Sequence, residues 1–170
     1  LVAAKRAVPD CAFVVPTVAH LADEVRAAVA SWPQPLHMVE SEADKYAAFE
    51  ASTAALAASG TVSLELAVAK VPMVIGYRLG WLTGAIARRL VKVRYITLIN
   101  LILEREAVPE FVLERCTADL MAPAVVRLLT DAQARRAQQA AFAEALAALG
   151  VEGGSPSERA ADAILRLARG

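Results

Sequence analysis

The residues best suited to chemistry lie at a predicted turn between a strand and a helix. Ser59, Gly60 and Thr61 occupy this turn, and Ser63 follows in the first turn of the helix. A helix N-terminus carries unpaired N–H groups and a partial positive charge, so it can bind a phosphate group. Gly60 lets the backbone approach a ligand closely, and the neighbouring hydroxyls add hydrogen-bond donors. The sequence therefore indicates a phosphate-binding turn.

A carboxylate lies one helical turn beyond this phosphate-binding turn. Glu65 follows Thr61 by four residues, so both side chains lie on one face of the helix. A carboxylate there can accept hydrogen bonds from ribose hydroxyls while a phosphate lies at the helix start. Taken alone, the pattern fits an ordinary capped helix with a solvent-exposed Glu65 even better. Ligands of open α/β sheets nevertheless bind at the carboxyl ends of strands, where this turn lies.

Alternating strands and helices are predicted to position the turn. Short apolar runs predict strands at 11–15, 36–39, 53–58, 73–77 and around 95–98. Apolar residues at helical spacing and capping residues predict helices at 20–31, 41–49, 61–70 and 81–91. After Pro109 the pattern predicts helices alone, at 119–129 and from a Thr130–Gln133 capping box to Leu149. The alternation indicates an α/β, Rossmann-like fold with a parallel sheet and flanking helices.

Composition limits the classes of protein that the chain can belong to. The 170 residues are 57% hydrophobic and 21% charged, with a net charge of zero, which predicts one globular domain and no nucleic-acid partner. The apolar stretches 64–77 and 95–103 fall short of the roughly 20 apolar residues that a membrane-spanning helix needs. His20 and His37 are isolated, so we expect no metal site. We also expect no cofactor.

Two longer stretches resemble the diagnostic core of lipid A disaccharide synthases. They are ASGTVSLELAVAKVPMVIGYR at 58–78 and RRLVKVRYITLINLILEREAVPEF at 88–111, and a weaker likeness runs from Cys11 to the final helix. The resemblance implies the C-terminal half of a GT-B fold, in which two Rossmann-like domains face each other across a cleft. In that family the C-terminal domain is expected to bind a UDP-sugar donor without a metal.

The resemblance also implies roles for individual residues. Ser59, Gly60 and Thr61 would contact the diphosphate of UDP, and Glu65 would contact its ribose. The complete predicted donor-binding set is Ser59, Gly60, Thr61, Ser63, Glu65, Tyr77, Arg78 and Asn100. An alternative for Arg78 is a structural ion pair, for example with Glu106. Arg105 and Glu106 match an RE pair of the family, to which we assign a structural role.

The implied reaction joins UDP-2,3-diacylglucosamine to 2,3-diacylglucosamine 1-phosphate. Its products would be lipid A disaccharide 1-phosphate and UDP, formed by direct displacement with inversion at the anomeric carbon. We expect the catalytic base in an N-terminal half of the enzyme and assign no catalytic residue here. The resemblance further implies a cytoplasmic protein, peripheral to the inner membrane of a Gram-negative bacterium, and leaves a homodimer open.

A basic segment at 81–94 suggests contact with a membrane surface. Trp81 lies at one end of this predicted helix, and its other end carries four basic residues, Arg88, Arg89, Lys92 and Arg94. Such a helix suits an anionic lipid surface. The alternative is an ordinary amphipathic helix with a solvated basic face.

The start of the chain lacks a feature that the resemblance leads us to expect. Nothing before Cys11 resembles the strand and Gly-Ser-Arg loop that open the family's C-terminal domain, and 1–9 resembles the end of the next helix. Since that strand is central in a doubly wound sheet, its loss would leave two strand edges unpaired. We therefore expect an incomplete nucleotide-sugar-binding domain over 1–149, inactive alone, then a Gly-rich break and a C-terminal helix over 150–170.

Two other functions compete with this interpretation. One is another GT-B transferase or epimerase that uses UDP-N-acetylglucosamine, such as the peptidoglycan transferase, although its glycine-rich motif is not found here. The other is a non-catalytic, Rossmann-like interaction module, because the Ala- and Leu-rich helices after Thr117 could pack against a partner. Binding of UDP separates the donor-site interpretation from the interaction module.

Overall fold

A computed structural model of the chain describes residues 1–78, 94–150 and residue 165. Five strands and seven α-helices follow one another within the described ranges. The strands are β1 Phe13–Pro16, β2 Leu36–Val39, β3 Ala55–Ala57, β4 Met73–Tyr77 and β5 Glu110–Val112. The helices are α1 Val2–Ala7, α2 Ala22–Val29, α3 Glu42–Ala51, α4 Thr61–Val68, α5 Leu98–Leu103, α6 Ala118–Thr130 and α7 Ala132–Ala148.

All strand pairings in the described residues are parallel. β1 pairs with β2, and a second sheet has the order β3-β4-β5, with Ala55 opposite Met73 and Ile75 opposite Glu110. Helices connect successive strands from β1 to β4, as parallel pairing requires. The α/β prediction, with parallel strands and flanking helices, is therefore confirmed.

The sheet is interrupted between β1 and β3. Neither strand pairs with the other, and each has only one neighbouring strand in the described part of the chain. In the doubly wound order a further strand would lie between them. The interruption thus falls where we expected two unpaired edges. Val14 on β1 and Leu56 on β3 are exposed apolar residues.

The hydrophobic core lies around β4, the central strand of the three-stranded sheet. Met73 and Ile75 are fully buried, and α4, α5 and α7 pack Leu66, Ile99 and Phe142 against them. A central parallel strand is covered on both faces, which explains the unbroken apolar run that predicted it. The core therefore supports the strands and helices that carry the candidate site.

Two predicted elements near the second half of the chain are wrong, and one buried carboxylate explains both. The expected strand at 95–98 is absent, because the amides of Ile96 and Thr97 donate to Glu110 and Leu98 already begins α5. The expectation of helices alone after Pro109 is also wrong, since β5 begins at Glu110. Glu110 is charged and opens a strand of only three residues, so apolar runs in the sequence indicated neither β5 nor the contacts of Glu110 with Ile96 and Thr97.

Helix capping was predicted correctly in one place and incorrectly in another. Ser41 caps α3 by accepting the amide of Asp44, as expected. The capping box at Thr130 is wrong, because Asp131 accepts the first amides of α7 and the Thr130 hydroxyl donates to Val126. The predicted helices at 81–91 and after Gly150 lie outside the described residues, apart from residue 165.

Candidate functional site

The turn between β3 and α4 is built around Gly60. This residue has φ 150° and ψ −161°, a conformation that L side chains rarely adopt, and it immediately precedes the eight-residue α4. A Cβ atom built at Gly60 would have no atom of the described residues within 4 Å. The backbone conformation, not crowding by described residues, therefore requires glycine, and none of these residues fills the space beside Gly60 at the helix N-terminus.

The hydroxyls around this turn divide into two kinds. Ser63 is buried and donates to the Gly60 carbonyl at 2.7 Å, while Ser59 donates to the Ile96 carbonyl at 3.0 Å. Both hydroxyl hydrogens therefore hold the turn in shape. The Thr61 side chain is exposed and makes no hydrogen bond to a described residue. Of the three hydroxyls predicted to contact the donor, only that of Thr61 is exposed and without a hydrogen bond to a described residue at the start of α4.

Glu65 is paired with a lysine and is not simply solvent-exposed. The Nζ atom of Lys45, on α3, lies 2.7 Å from Oε2 of Glu65, and the two side chains are 26% and 30% exposed. The hydrogen bond to Glu65 is the main cause that raises the pKa of Lys45 above its ordinary value. The same ammonium lies 4.5 Å from the ring centre of Tyr46. Glu65, the residue predicted to contact ribose, is therefore part of a contact between α3 and α4.

An open cavity of about 420 Å³ borders this ion pair. Its walls come from α3 and from the second half of α4 and the residue after it. They are formed by Tyr46, Glu50, Leu64, Glu65, Val68 and Ala69. The cavity is mostly apolar, with the Glu65 carboxylate at its wall, so it could accommodate an organic group next to a hydrogen-bond acceptor.

Asn100 is fully buried and its amide is saturated by protein partners. Its Nδ2 donates to the Val108 carbonyl and to Glu110, and its Oδ1 accepts the amides of Ala107 and Val108, all at 2.7–2.9 Å. An asparagine amide has two donor hydrogens and two acceptor lone pairs, so none is left over. A direct contact with a ligand would require one of these bonds to be exchanged.

Glu110 connects Asn100 to the turn between β3 and α4, where phosphate binding was predicted. This nearly buried carboxylate accepts the amides of Ile96 and Thr97, the Thr97 hydroxyl and the Asn100 amide. Ile96 in turn accepts the Ser59 hydroxyl. A buried carboxylate is stable only when it is well hydrogen-bonded. The network therefore links Asn100 to Ser59 through Glu110, a residue that we had not singled out from the sequence.

Tyr77 and Arg78 lie at the carboxyl end of β4. Tyr77 is partly buried and Arg78 is exposed. Because β3 and β4 are parallel neighbours, this end of β4 lies at the same sheet edge as the turn after β3. Within the described ranges no ion pair joins Arg78 to Glu106, the example given for a structural ion pair of Arg78. Arg105 instead pairs with Glu144 on α7, in agreement with its predicted structural role.

The carboxyl ends of β3 and β4 thus bring five predicted residues to the same end of the sheet, namely Ser59, Gly60, Thr61, Tyr77 and Arg78. The buried Asn100 supports this end through the hydrogen bonds of Glu110. Within the ranges 1–78 and 94–150, no group of three His, Cys, Asp or Glu residues could hold a metal ion. No helix in these ranges is long and apolar enough to cross a membrane. The predicted membrane-contacting segment at 81–94 lies almost wholly outside the described residues.

Comparisons with known proteins agree on one family. The profile of the family described as lipid-A-disaccharide synthetase matches residues 2–164. A relative from Rhodospirillum centenum, named lipid-A-disaccharide synthase, is 50% identical over 94% of this chain and 40% of its own length. Relatives of the same name from Nitrobacter winogradskyi and Paramagnetospirillum magneticum are 43% and 46% identical, over 97% and 96% of this chain. The chain spans about two fifths of the length of these relatives.

Proposed function

Because the chain belongs to the lipid-A-disaccharide synthetase family, we propose that it carries donor-binding residues of a glycosyltransferase of lipid A biosynthesis. The donor would be UDP-2,3-diacylglucosamine and the acceptor 2,3-diacylglucosamine 1-phosphate. The products would be lipid A disaccharide 1-phosphate and UDP. The chain would supply part of the donor-binding half of a GT-B fold, with the domain over 1–149 followed by a separate terminal segment over 150–170.

One observation carries this proposal: an open glycine turn leads into α4, and a carboxylate follows it at the next helical turn. No described residue lies within 4 Å of a Cβ atom built at Gly60, at the N-terminus of α4, where amide groups can bind a diphosphate. Glu65 lies about 6 Å further along the helix axis, four residues at about 1.5 Å each after Thr61. This separation suits the diphosphate and the ribose of a single nucleotide.

The chemistry that this arrangement supports is departure of UDP. As the bond from the anomeric carbon to the diphosphate breaks, negative charge accumulates on the leaving phosphate. The N–H groups at the start of α4 and the Arg78 guanidinium would stabilise that charge. The Thr61 hydroxyl would donate a further hydrogen bond. No residue of this chain is proposed as the base that activates the acceptor hydroxyl.

We test the proposal by calorimetric titration of UDP. The chain is studied alone and in a chimera in which it replaces the matching segment of the Rhodospirillum centenum relative. We expect the chimera to bind UDP and the Glu65→Gln variant to bind roughly tenfold more weakly, the effect of one hydrogen bond to a charged group. Glu50→Gln changes a carboxylate on the same cavity and is expected to leave the affinity unchanged.

The chain alone is expected to bind UDP more weakly than the chimera, or not at all. In the described part of the chain β1 and β3 each have an unpaired edge, so the sheet is interrupted directly beside the strand that carries the turn. If the folded chimera does not bind UDP, the donor-site proposal is wrong. The interaction-module interpretation then takes its place.

We further propose that the whole protein acts on the cytoplasmic face of the inner membrane as a peripheral protein. Support comes from the acylated substrates and from the basic residues at 88–94. Co-sedimentation of the chimera with anionic and neutral vesicles tests this proposal, with retention by anionic vesicles expected. A homodimer would explain exposed apolar residues such as Leu120 on α6, and analytical ultracentrifugation would detect it.

A further inference from the structure

Lys45 contacts only one of the two carboxylate oxygens of Glu65. Its Nζ atom donates to Oε2 at 2.7 Å, and Oε1 has no hydrogen-bond partner among the described residues. Both side chains are more than two-thirds buried at the contact between α3 and α4. Glu65 is therefore held by one oxygen while the other remains available as an acceptor.

The position of the Lys45 ammonium is itself fixed by aromatic rings. It lies 4.5 Å from the ring centre of Tyr46 and 6.0 Å from that of Phe49, and these two rings meet edge to face. Phe49 belongs to the hydrophobic core, and Ser41 caps the same helix. Cation–π attraction thus adds to the ion pair in restricting the ammonium. A restricted lysine restricts the carboxylate to which it donates.

A role in stability alone explains this arrangement poorly. An ion pair that is partly open to solvent contributes little to folding, since the attraction is screened and ordering two flexible side chains costs entropy. The Glu65 carboxylate of this pair nevertheless lies one helical turn from the phosphate-binding turn and forms part of the wall of the cavity between α3 and α4. Its position favours a part in ligand binding.

We propose that Lys45 is a positioning residue of the nucleotide site, which fixes the Glu65 carboxylate so that Oε1 accepts a ribose hydroxyl. This inference rests on the proposed UDP-binding function. Lys45 would touch no atom of the nucleotide and would act only through Glu65. Its contribution should therefore appear with nucleotides that have ribose hydroxyls and vanish with nucleotides that lack them.

The test compares UDP with 2′,3′-dideoxyuridine 5′-diphosphate in calorimetric titrations of the chimera. We define selectivity as the Kd of the dideoxy nucleotide divided by the Kd of UDP. Lys45→Met is expected to lower this selectivity roughly fivefold to tenfold while leaving the Kd of the dideoxy nucleotide unchanged. Lys45→Arg keeps a donor to Glu65 and is expected to retain most of the selectivity.

A double-mutant comparison separates positioning from a general structural role. In the Glu65→Gln background, Lys45→Met is expected to change the selectivity no further. If Lys45→Met weakens both nucleotides equally, or lowers the selectivity in both backgrounds, the positioning role is wrong even though UDP binding stands. If the folded chimera with unaltered Lys45 and Glu65 fails to bind UDP, the proposed function itself falls and the positioning role falls with it.

Discussion

Asn100 donates its amide to the nearly buried carboxylate of Glu110 at 2.7 Å. The same carboxylate accepts two consecutive amides, those of Ile96 and Thr97, so it closes a loop that runs from the residues just before α5, through α5, to the start of β5. Since the Ile96 carbonyl accepts the Ser59 hydroxyl, this loop also holds the turn that precedes α4. The proposed diphosphate site and the buried polar network are therefore one connected unit with Glu110 at its centre.

Glu110→Gln is expected to destabilise the protein by about 2–4 kcal/mol, because a glutamine side chain replaces one acceptor oxygen by an NH₂ group that faces backbone donors. Urea unfolding of the purified chain, followed by circular dichroism, measures this loss. Glu106→Gln is the matched control, since Glu106 is exposed and is expected to change stability by less than about 0.5 kcal/mol. Equal stability of the two variants would contradict the role assigned to Glu110.

Gln138→Ala is expected to lower the free energy of unfolding by about 1–3 kcal/mol, the cost of leaving buried polar groups without partners. Gln138 on α7 accepts the Met73 amide at 2.8 Å and donates to the Met73 carbonyl at 3.0 Å. The neighbouring Gln139 is only partly buried and donates to the carbonyl of the exposed Lys70. Gln139→Ala in the same urea titration is therefore the control, and an equal loss in both variants would refute the prediction.

The local features of this fold could be predicted from the sequence, and its long-range polar contacts could not. Ser41 was expected to cap α3 and Met73–Tyr77 to form a strand, because both signals lie within a few neighbouring residues. The pairing of Lys45 with Glu65 spans 20 residues. Nothing in the spacing of either residue indicates that α3 and α4 will meet at that point.

The two wrong predictions around Glu110, a strand at 95–98 and helices alone after Pro109, have the same physical origin. A glutamate in an isolated sequence predicts a solvated position, since burying a carboxylate is costly. Here the folded chain supplies four hydrogen-bond donors to that carboxylate from three residues within 14 positions. Only the completed loop offsets the cost of burying the carboxylate. Local patterns therefore could not show that β5 begins at Glu110 or that residues 95–98 form no strand.

Gly76→Ala is expected to destabilise the chain by about 1–3 kcal/mol through overpacking. A Cβ atom at Gly76 would lie 2.9 Å from Sδ of Met121 and 3.3 Å from Sγ of Cys116. If this close approach is the cause, Met121→Ala should reduce the cost of Gly76→Ala, because it removes the nearest atom. Thermal unfolding of the four proteins of this double-mutant cycle measures the coupling, and additive effects would exclude the contact as the cause.

Asp131 should make the stability of the chain fall at acidic pH. The amides of Ala134 and Gln133 hydrogen-bond to its carboxylate at the start of α7 and hold its pKa below the ordinary value of 3.8. A carboxyl group with a depressed pKa in the folded state stabilises the protein above its unfolded pKa. That contribution is lost as the pH falls through the folded pKa, below 3.8.

Substitution of Asp131 separates the charge from the cap. An asparagine at this position is neutral and still accepts the same amides, so we expect Asp131→Asn to lose less stability than the unaltered chain between about pH 5 and about pH 3. Asp131→Ala removes the cap and should lower the urea midpoint at both pH values. Urea titrations at the two pH values measure both effects. If Asp131→Asn loses as much stability on acidification as the unaltered chain, the carboxylate of Asp131 does not contribute to the acid sensitivity. The capping interaction is then independent of charge.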